Sequence, residues 1–256
     1  MEKKVGLVIG AGNGIGAACC EAMAQNGWHI VAADIDKKAA ENTAERLKGH
    51  AYQVNMGSLD EVEQLAKNIE ADVGPVSGLV VAAAVFQELF TPDKFPEDLV
   101  HRIMKVNFEG TFNANRVFAS RMATQGRGSI VNIASIVGHV SSPQHLYGPT
   151  KAAVISMTKN FAAQYGKSGV RVNSVSPGAV LVQRVLARPA GRYAIDVDAQ
   201  MALGRRIQPQ EIANGVEFLL SDKASAITGT DLLIDAGLMV ANGWHLYGGV
   251  PDSVAS

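Results

Sequence analysis

Residues Val5 to Gly10 (VGLVIG) form a short, unbroken apolar run, and Gly10-Ala11-Gly12-Asn13-Gly14-Ile15-Gly16 comes directly after it. A run of that length and composition suits a strand covered on both faces, the condition of a strand inside a parallel sheet. Ala17 to Asn26 then reads as a helix stopped by Gly27. Glycines in a strand-to-helix turn let the backbone approach a pyrophosphate, which rests on the helix N-terminus. Glycine turns also merely bend chains, so the motif gains weight only from the segments after it.

The next segment is a second apolar strand, Trp28 to Ala33, ending in Asp34, 24 positions after Gly10. An acid at that point accepts hydrogen bonds from both ribose hydroxyls of an adenosine and repels a 2′-phosphate, which favours NAD over NADP. Asp34 or Asp36 can equally cap the helix that begins near Lys37, and Lys37 and Lys38 read as a solvated first turn. Strands and helices then keep alternating. Strands are expected at Ala51 to Asn55, Leu79 to Ala84, Gly128 to Ala134, Val170 to Ser176 and Asp231 to Ile234. Helices are expected at Leu59 to Ala71, Glu97 to Thr124, Ala152 to Tyr165 and Pro209 to Ser221. This alternation predicts an α/β chain, with one Rossmann-type doubly wound parallel sheet and helices on both faces. No repeat or linker interrupts it, so a single domain over residues 1–256 is expected. Ligands of such sheets bind beyond the carboxyl ends of the strands, so Gly14, Asp34, Ala84 and Ser135 should converge on one crevice.

Composition excludes several classes. A chain of 256 residues with 47% hydrophobic residues and a net charge of −1 supports a large core and no polyanion-binding surface, so no nucleic acid partner is expected. Cys19 and Cys20 are adjacent, which is neither a disulfide framework nor a metal spacing, and no metal site is expected. Paired free thiols suit a reducing compartment, and Met1-Glu2-Lys3-Lys4 runs into the first strand without an apolar leader. The apolar stretch Leu79 to Phe86 is far shorter than the roughly 20 residues of a membrane span. A cytoplasmic protein with no membrane contact is the expectation.

The strand Gly128 to Ala134 delivers Ser135 at its end, and a loop rich in glycine, serine and proline leads to Tyr147 and Lys151. Residues four apart share a helix face, so the phenol and the ammonium can point into one pocket. A nearby cation favours phenolate and draws a tyrosine pKa down from about 10. Such a tyrosine exchanges a proton with an alcohol or a carbonyl. A surface Tyr and Lys on an amphipathic helix would show the same spacing, and only the surrounding motifs distinguish the two.

Taken together these residues resemble the short-chain dehydrogenase/reductase family in its compact form, over roughly residues 4 to 237. The matching motifs are Gly10-x-x-x-Gly14-Ile15-Gly16, the Asn of Lys105-Val106-Asn107, Ser135 with Tyr147-x-x-x-Lys151, Asn173-Ser174-Val175-Ser176-Pro177-Gly178, Ile227-Thr228-Gly229 and Asp235-Ala236-Gly237. The resemblance implies that Tyr147 donates or accepts the proton and Ser135 holds the substrate oxygen. It implies that Lys151 binds the nicotinamide ribose and lowers the tyrosine pKa, while Asn107 anchors a water relaying protons from Lys151. It also implies an NAD site made by Gly10, Asn13, Gly14, Ile15, Gly16, Asp34, Asn55, Met56, Ala82, Ala83, Ala84, Tyr147, Lys151, Pro177, Gly178 and Val180. Hydride exchange between NAD(H) and a secondary alcohol or ketone would be the reaction, in a homotetramer or homodimer.

Several positions depart from the family pattern. Ile9 stands where a Thr is usual, and Val81-Ala82-Ala83-Ala84 where Asn-Asn-Ala-Gly is usual, which removes amides that tie the central strands. Asn55 replaces an acid near the adenine, and its amide oxygen still accepts a hydrogen bond. Val182 stands where a Thr often meets the carboxamide, and the loop from Ser135 to Tyr147 is one residue shorter than common.

The substrate is less defined. Ala179 to Leu203 is the covering segment, with Arg184, Arg188 and Arg192 at helical spacing but Pro189 between them. Those arginines suit a carboxylate or phosphate, or else a solvated face. His139, Ser141, Ser142, Gln144 and His145 make the Ser135 loop polar, which suits a polyol, a sugar or an anionic hydroxy compound. The tail, Leu238 to Ser256, carries Trp244, His245, Leu246 and Tyr247. Residues so apolar belong in contact with something, either their own subunit or a neighbour's pocket. A catalytically idle NAD-sensing regulator on the same fold is the alternative to an enzyme.

Overall fold

The computed structural model describes residues 4–182, 196–247 and 249. Its centre is a parallel sheet of seven strands: β1 (Val5–Ile9), β2 (His29–Asp34), β3 (His50–Gln53), β4 (Val76–Val81), β5 (Gly128–Ile133), β6 (Val170–Pro177) and β7 (Asp231–Ile234). They lie in the order β3-β2-β1-β4-β5-β6-β7. The order reverses beside β1, whose Ile9 pairs with Ala33 of β2 on one side and Val81 of β4 on the other. That aligned edge is where a doubly wound sheet opens a crevice.

Successive residues of β1 serve opposite faces, as strand geometry requires. Leu7 and Ile9 join a core closed by α3 (Leu59–Asp72), α5 (Thr111–Thr124) and α6 (Tyr147–Tyr165), while Val8 joins one closed by α1 (Gly14–Gln25) and α7 (Pro209–Leu220). The unbroken apolar run is thereby explained: all five residues of β1 are buried. Helix α2 (Lys37–Leu47) starts at Asp36, whose carboxylate accepts from the Ala39 N–H at 3.1 Å. Helix α1 differs, since Asn13 makes no side-chain cap and no acid sits in its first turn, which leaves its amides available to an outside anion.

Two expected elements come out otherwise. The helix expected from Glu97 to Thr124 is α4 (Glu97–Ile103), then a π turn (Met104–Gly110), then α5. The strand expected from Leu79 to Ala84 ends at Val81, because the N–H groups of Ala82 and Ala83 both turn onto the Ile9 carbonyl, at 2.8 and 3.0 Å. Beyond β7 the chain forms α8 (Leu238–Ala241) and a 3-10 segment (Asn242–Tyr247). Among the described residues, no helix is long and apolar enough to cross a membrane.

Candidate active site

The carboxyl ends of β1, β2, β4, β5 and β6 enclose a cleft of about 1830 Å³. Its floor is the turn after β1. Gly10 has φ +89°, and a Cβ there would lie 2.4 Å from the Ala83 nitrogen. A Cβ on Gly16 would lie 1.9 Å from the Gly10 carbonyl oxygen. Only glycine fits either place, so the motif is a requirement of close backbone packing around a cradle. At one end of the cleft Asp34 closes β2, its carboxylate fixed by the Gly12 N–H at 2.8 Å and the Asp36 N–H at 3.1 Å.

At the other end β5 and α6 bring Ser135, Tyr147 and Lys151 into the wall of the same cleft. Ser135 caps a 3-10 turn, Ile136–Gly138, accepting from the Val137 N–H at 3.4 Å. Tyr147 opens α6 and is 4% exposed. Lys151 is 3% exposed, its Nζ lies 5.5 Å from the centre of the Tyr147 ring, and it donates to the Ile133 carbonyl at 2.6 Å. Burial pushes the Lys151 ammonium down to about 8 from 10.5, because a charge removed from water favours its neutral form. Asn107 is buried behind the cleft rather than in its wall. Its amide grips the Val85 backbone twice, accepting from the N–H at 2.8 Å and donating to the C=O at 2.9 Å.

Of the cofactor residues expected from sequence, Gly10, Asn13, Gly14, Ile15, Gly16, Asp34, Asn55, Met56, Ala82, Ala83, Ala84, Pro177, Gly178 and Val180 all line the cleft. Val182 lines it as well, against Gly14. Side-chain amides do tie elements beside the cleft elsewhere. Asn132 of β5 and Asn115 of α5, both fully buried, pair through their side chains at 2.8 and 3.2 Å, and Asn132 also donates to Thr158 of α6 at 3.0 Å. This network joins the strand that delivers Ser135 to the helix that delivers Tyr147.

The substrate expectations fare differently. His139 and His145 do not reach the cleft; they line a separate recess of about 380 Å³ on the outer side of the Ser135 turn. The His139 ring is taken up by Asp231 at 2.7 Å and Ser176 at 3.3 Å. Its assignment as a substrate residue is corrected accordingly: it faces a buried carboxylate on β7. Arg184 and Arg188 lie outside the described residues. Trp244 is 52% exposed and does not line the cleft, although Leu238, at the start of the tail, does. Two further residues of the site carry no signal in the sequence. Phe86 stacks on Tyr147 with centroids 4.7 Å apart, and Gln87, 1% exposed, accepts from the Leu146 and Tyr147 N–H groups.

The arrangement is thus one cleft with a glycine cradle and Asp34 at one end and Ser135, Tyr147 and Lys151 at the other. A family model described as "Enoyl-(Acyl carrier protein) reductase" matches residues 10–239. The chain is 32% identical to the 3-oxoacyl-[acyl-carrier-protein] reductase FabG of Thermotoga maritima, covering 94% of this chain and 99% of that one. It is 33% identical to the D-threitol dehydrogenase of Mycolicibacterium smegmatis, covering 94% of each. A solved structure titled ribose-5-phosphate isomerase, from Brucella melitensis 16M, matches with a TM-score of 0.94 and 37% identity, over 98% of this chain and 97% of that one. The chain belongs to the short-chain dehydrogenase/reductase family. It is an oxidoreductase of that family, built for a nicotinamide cofactor.

Proposed function

We propose that the protein oxidises a secondary alcohol to a ketone, reversibly and with NAD(H), acting on a polyol, a sugar or an anionic hydroxy compound. The observation that carries this reading is the single cleft with Asp34 at one end and Ser135, Tyr147 and Lys151 at the other. The residues present fit a dinucleotide: a glycine cradle that a Cβ would fill, an uncapped helix N-terminus for the pyrophosphate, and a fixed carboxylate for the ribose hydroxyls. Bound there, NAD supplies the hydride acceptor, and the protein contributes orientation and proton transfer. Asp34 sets the preference for NAD, since a 2′-phosphate would meet a carboxylate already held in place by two amides.

Tyr147 takes the hydroxyl proton in the oxidative direction and returns it in the reductive one. Lys151 stabilises the phenolate by its charge and holds the ribose. Ser135, with its hydroxyl proton free to donate while its oxygen accepts from Val137, steadies the substrate oxygen as negative charge develops. Asn107 holds the segment after β4 through its amide, and its main-chain carbonyl accepts from the Thr111 hydroxyl at 2.8 Å. Sugar-phosphate isomerisation would require a base and an acid but no dinucleotide crevice, and a glycine cradle with Asp34 at one end of the cleft is what a dinucleotide needs. The exposed Phe108 and Phe112, a turn apart, support assembly into a homotetramer or homodimer. The buried free Cys19 and Cys20 suit a cytoplasmic location.

The test monitors reduced-nicotinamide absorbance with NAD and NADP against polyols, sugars, sugar acids and hydroxyacyl thioesters. Turnover with a polyhydroxylated alcohol is expected, and Tyr147→Phe should abolish it while leaving NADH affinity nearly unchanged. Tight NADH binding without turnover of any alcohol would mark a sensor and refute the enzyme reading.

A further inference from the structure

Helix α6 begins at Tyr147, and the first N–H groups of a helix have no partner inside it. The residue in the capping position is Leu146, which has no side-chain acceptor to offer. Each amide nevertheless has a destination. The Gly148 N–H reaches the Gln144 carbonyl at 3.0 Å, and Pro149 has no N–H. The remaining two, on Leu146 and Tyr147, both donate to Oε1 of Gln87, at 3.0 and 2.8 Å. Gln87 comes from the segment after β4, some 60 residues away in the chain. Its neighbours are engaged with the same site: Val85 is gripped by Asn107, and Phe86 lies on the Tyr147 ring. Phe86 and Gln87 thus meet the start of α6 directly, while Val85 before them is anchored to the π turn.

The cap has an odd feature. A helix N-terminus favours a carboxylate, yet here a neutral amide is used, and its Nε2 is buried with no hydrogen-bond partner among the described residues. An orphaned buried donor carries its full desolvation cost. A carboxylate would remove that donor but bury an ionised oxygen in its place, and it would set a negative charge on Tyr147's own backbone, where it would oppose a phenolate. We infer that Gln87 is a positioning residue that fixes Tyr147 from outside its helix and does so without adding charge. The inference rests on the acid–base role of Tyr147. The other charged groups around the cleft are Lys151 on α6, Asp98, His101, Arg102, Lys105 and Glu109 on α4 and the π turn, Asp34 on β2 and Arg206 before α7. His139 and His145 lie in the recess behind the Ser135 turn. All of these are common to wild type and to any variant at position 87, so a difference between such variants isolates that position.

Two substitutions separate the parts. Gln87→Met keeps the volume and removes the acceptor; it should lower kcat at least tenfold and leave the KM for NAD within about twofold. Gln87→Glu restores the acceptor; its kcat at its own pH optimum should return to within about threefold of wild type. The acid limb of its kcat/KM profile should move up by on the order of one pH unit, as a charge near the phenol demands. Amide hydrogen exchange at Leu146 and Tyr147 reads the cap directly, even in protein that turns nothing over: slow in wild type and Gln87→Glu, fast in Gln87→Met. Wild-type kcat in Gln87→Met, or equally poor turnover and equally fast exchange in both variants, would overturn the positioning role. A restored rate with an unshifted acid limb would overturn the requirement for a neutral cap. Should Gln87→Met fail to fold, the profile and exchange of Gln87→Glu decide alone. A wild-type protein inactive on every alcohol is a separate failure, of the dehydrogenase reading, and leaves the exchange result to judge the cap.

Discussion

Replacing Lys151 by Met should cost the protein its activity and change its stability in a pH-dependent way. Lys151 is 3% exposed, and the one hydrogen bond described for its ammonium runs to the Ile133 carbonyl. Burial holds its folded-state pKa at about 8 against 10.5 in the unfolded chain. The folded form binds the proton more weakly, so between those two values the unfolded state carries more protons and stability rises with pH. Below about 8 the penalty is present in full, and the fall from 10.5 corresponds to about 3 kcal/mol. Methionine removes the charge, keeps most of the stem, and leaves the Ile133 carbonyl without its partner, which costs about 1–3 kcal/mol. At pH 7 the variant should therefore equal wild type or exceed it by up to about 2 kcal/mol. At pH 10.5 the ranking should reverse, wild type gaining about 3 kcal/mol relative to the variant. Urea unfolding of both proteins at the two pH values measures the swing, and other titrating groups cancel in the difference. A stability difference that does not change with pH would refute the reasoning. Turnover in the variant should be lost at both.

Other expectations rest on the same geometry. Asp34→Ala should narrow the preference for NAD over NADP, read as the ratio of the two kcat/KM values; an unchanged ratio would place the selectivity elsewhere. His139→Ala leaves the Asp231 carboxylate, 7% exposed, without its imidazole. It should destabilise the protein by about 2–3 kcal/mol, and adding Asp231→Asn should restore at least a third of the loss in a thermal melt; no restoration would show that the pair does not matter. Truncation after Val240 removes the half-exposed Trp244 and the exposed Leu246. It should dissociate the oligomer, seen by light scattering, or raise the substrate KM more than the NAD KM, and a truncated protein unchanged in both would reduce the tail to packing.

The parts of this molecule that can be read from the chain are those encoded locally. The apolar run Val5–Ile9, the glycines after it and the Tyr147-x-x-x-Lys151 spacing each carry their own physical reason within a few residues. The parts that cannot be read depend on contacts made at long range. The π turn at Met104–Gly110 accompanies the grip of Asn107 on Val85, 22 positions away, and the composition of that stretch is ordinary helix. Gln87 is a lone glutamine in a loop until α6 arrives beside it. His139 is misjudged from the chain because a polar loop residue has two sides to face, and its partner Asp231 is 92 positions further on. The end of β4 is misplaced because Ala82 and Ala83 are as apolar as the strand before them, while their amides bend to Ile9.

The π turn also governs which changes of length this chain tolerates. Such a turn holds one residue more than an α-helical path between the same ends. Deleting a single residue from Met104–Gly110 would let the helix run on regularly between the same ends, so the residues after it would keep their faces. A deletion at Phe112, in the regular helix, would instead rotate everything after it by about 100°: Ala114, Val117, Phe118 and Met122, now set against the sheet, would swing toward solvent, and Asn115 would leave Asn132 without its partner. Loops on the open ends of the strands can lengthen or shorten without touching strand pairing. Inside the regular α5, a single-codon loss would undo one face of the core, whereas the π turn has a residue to lose.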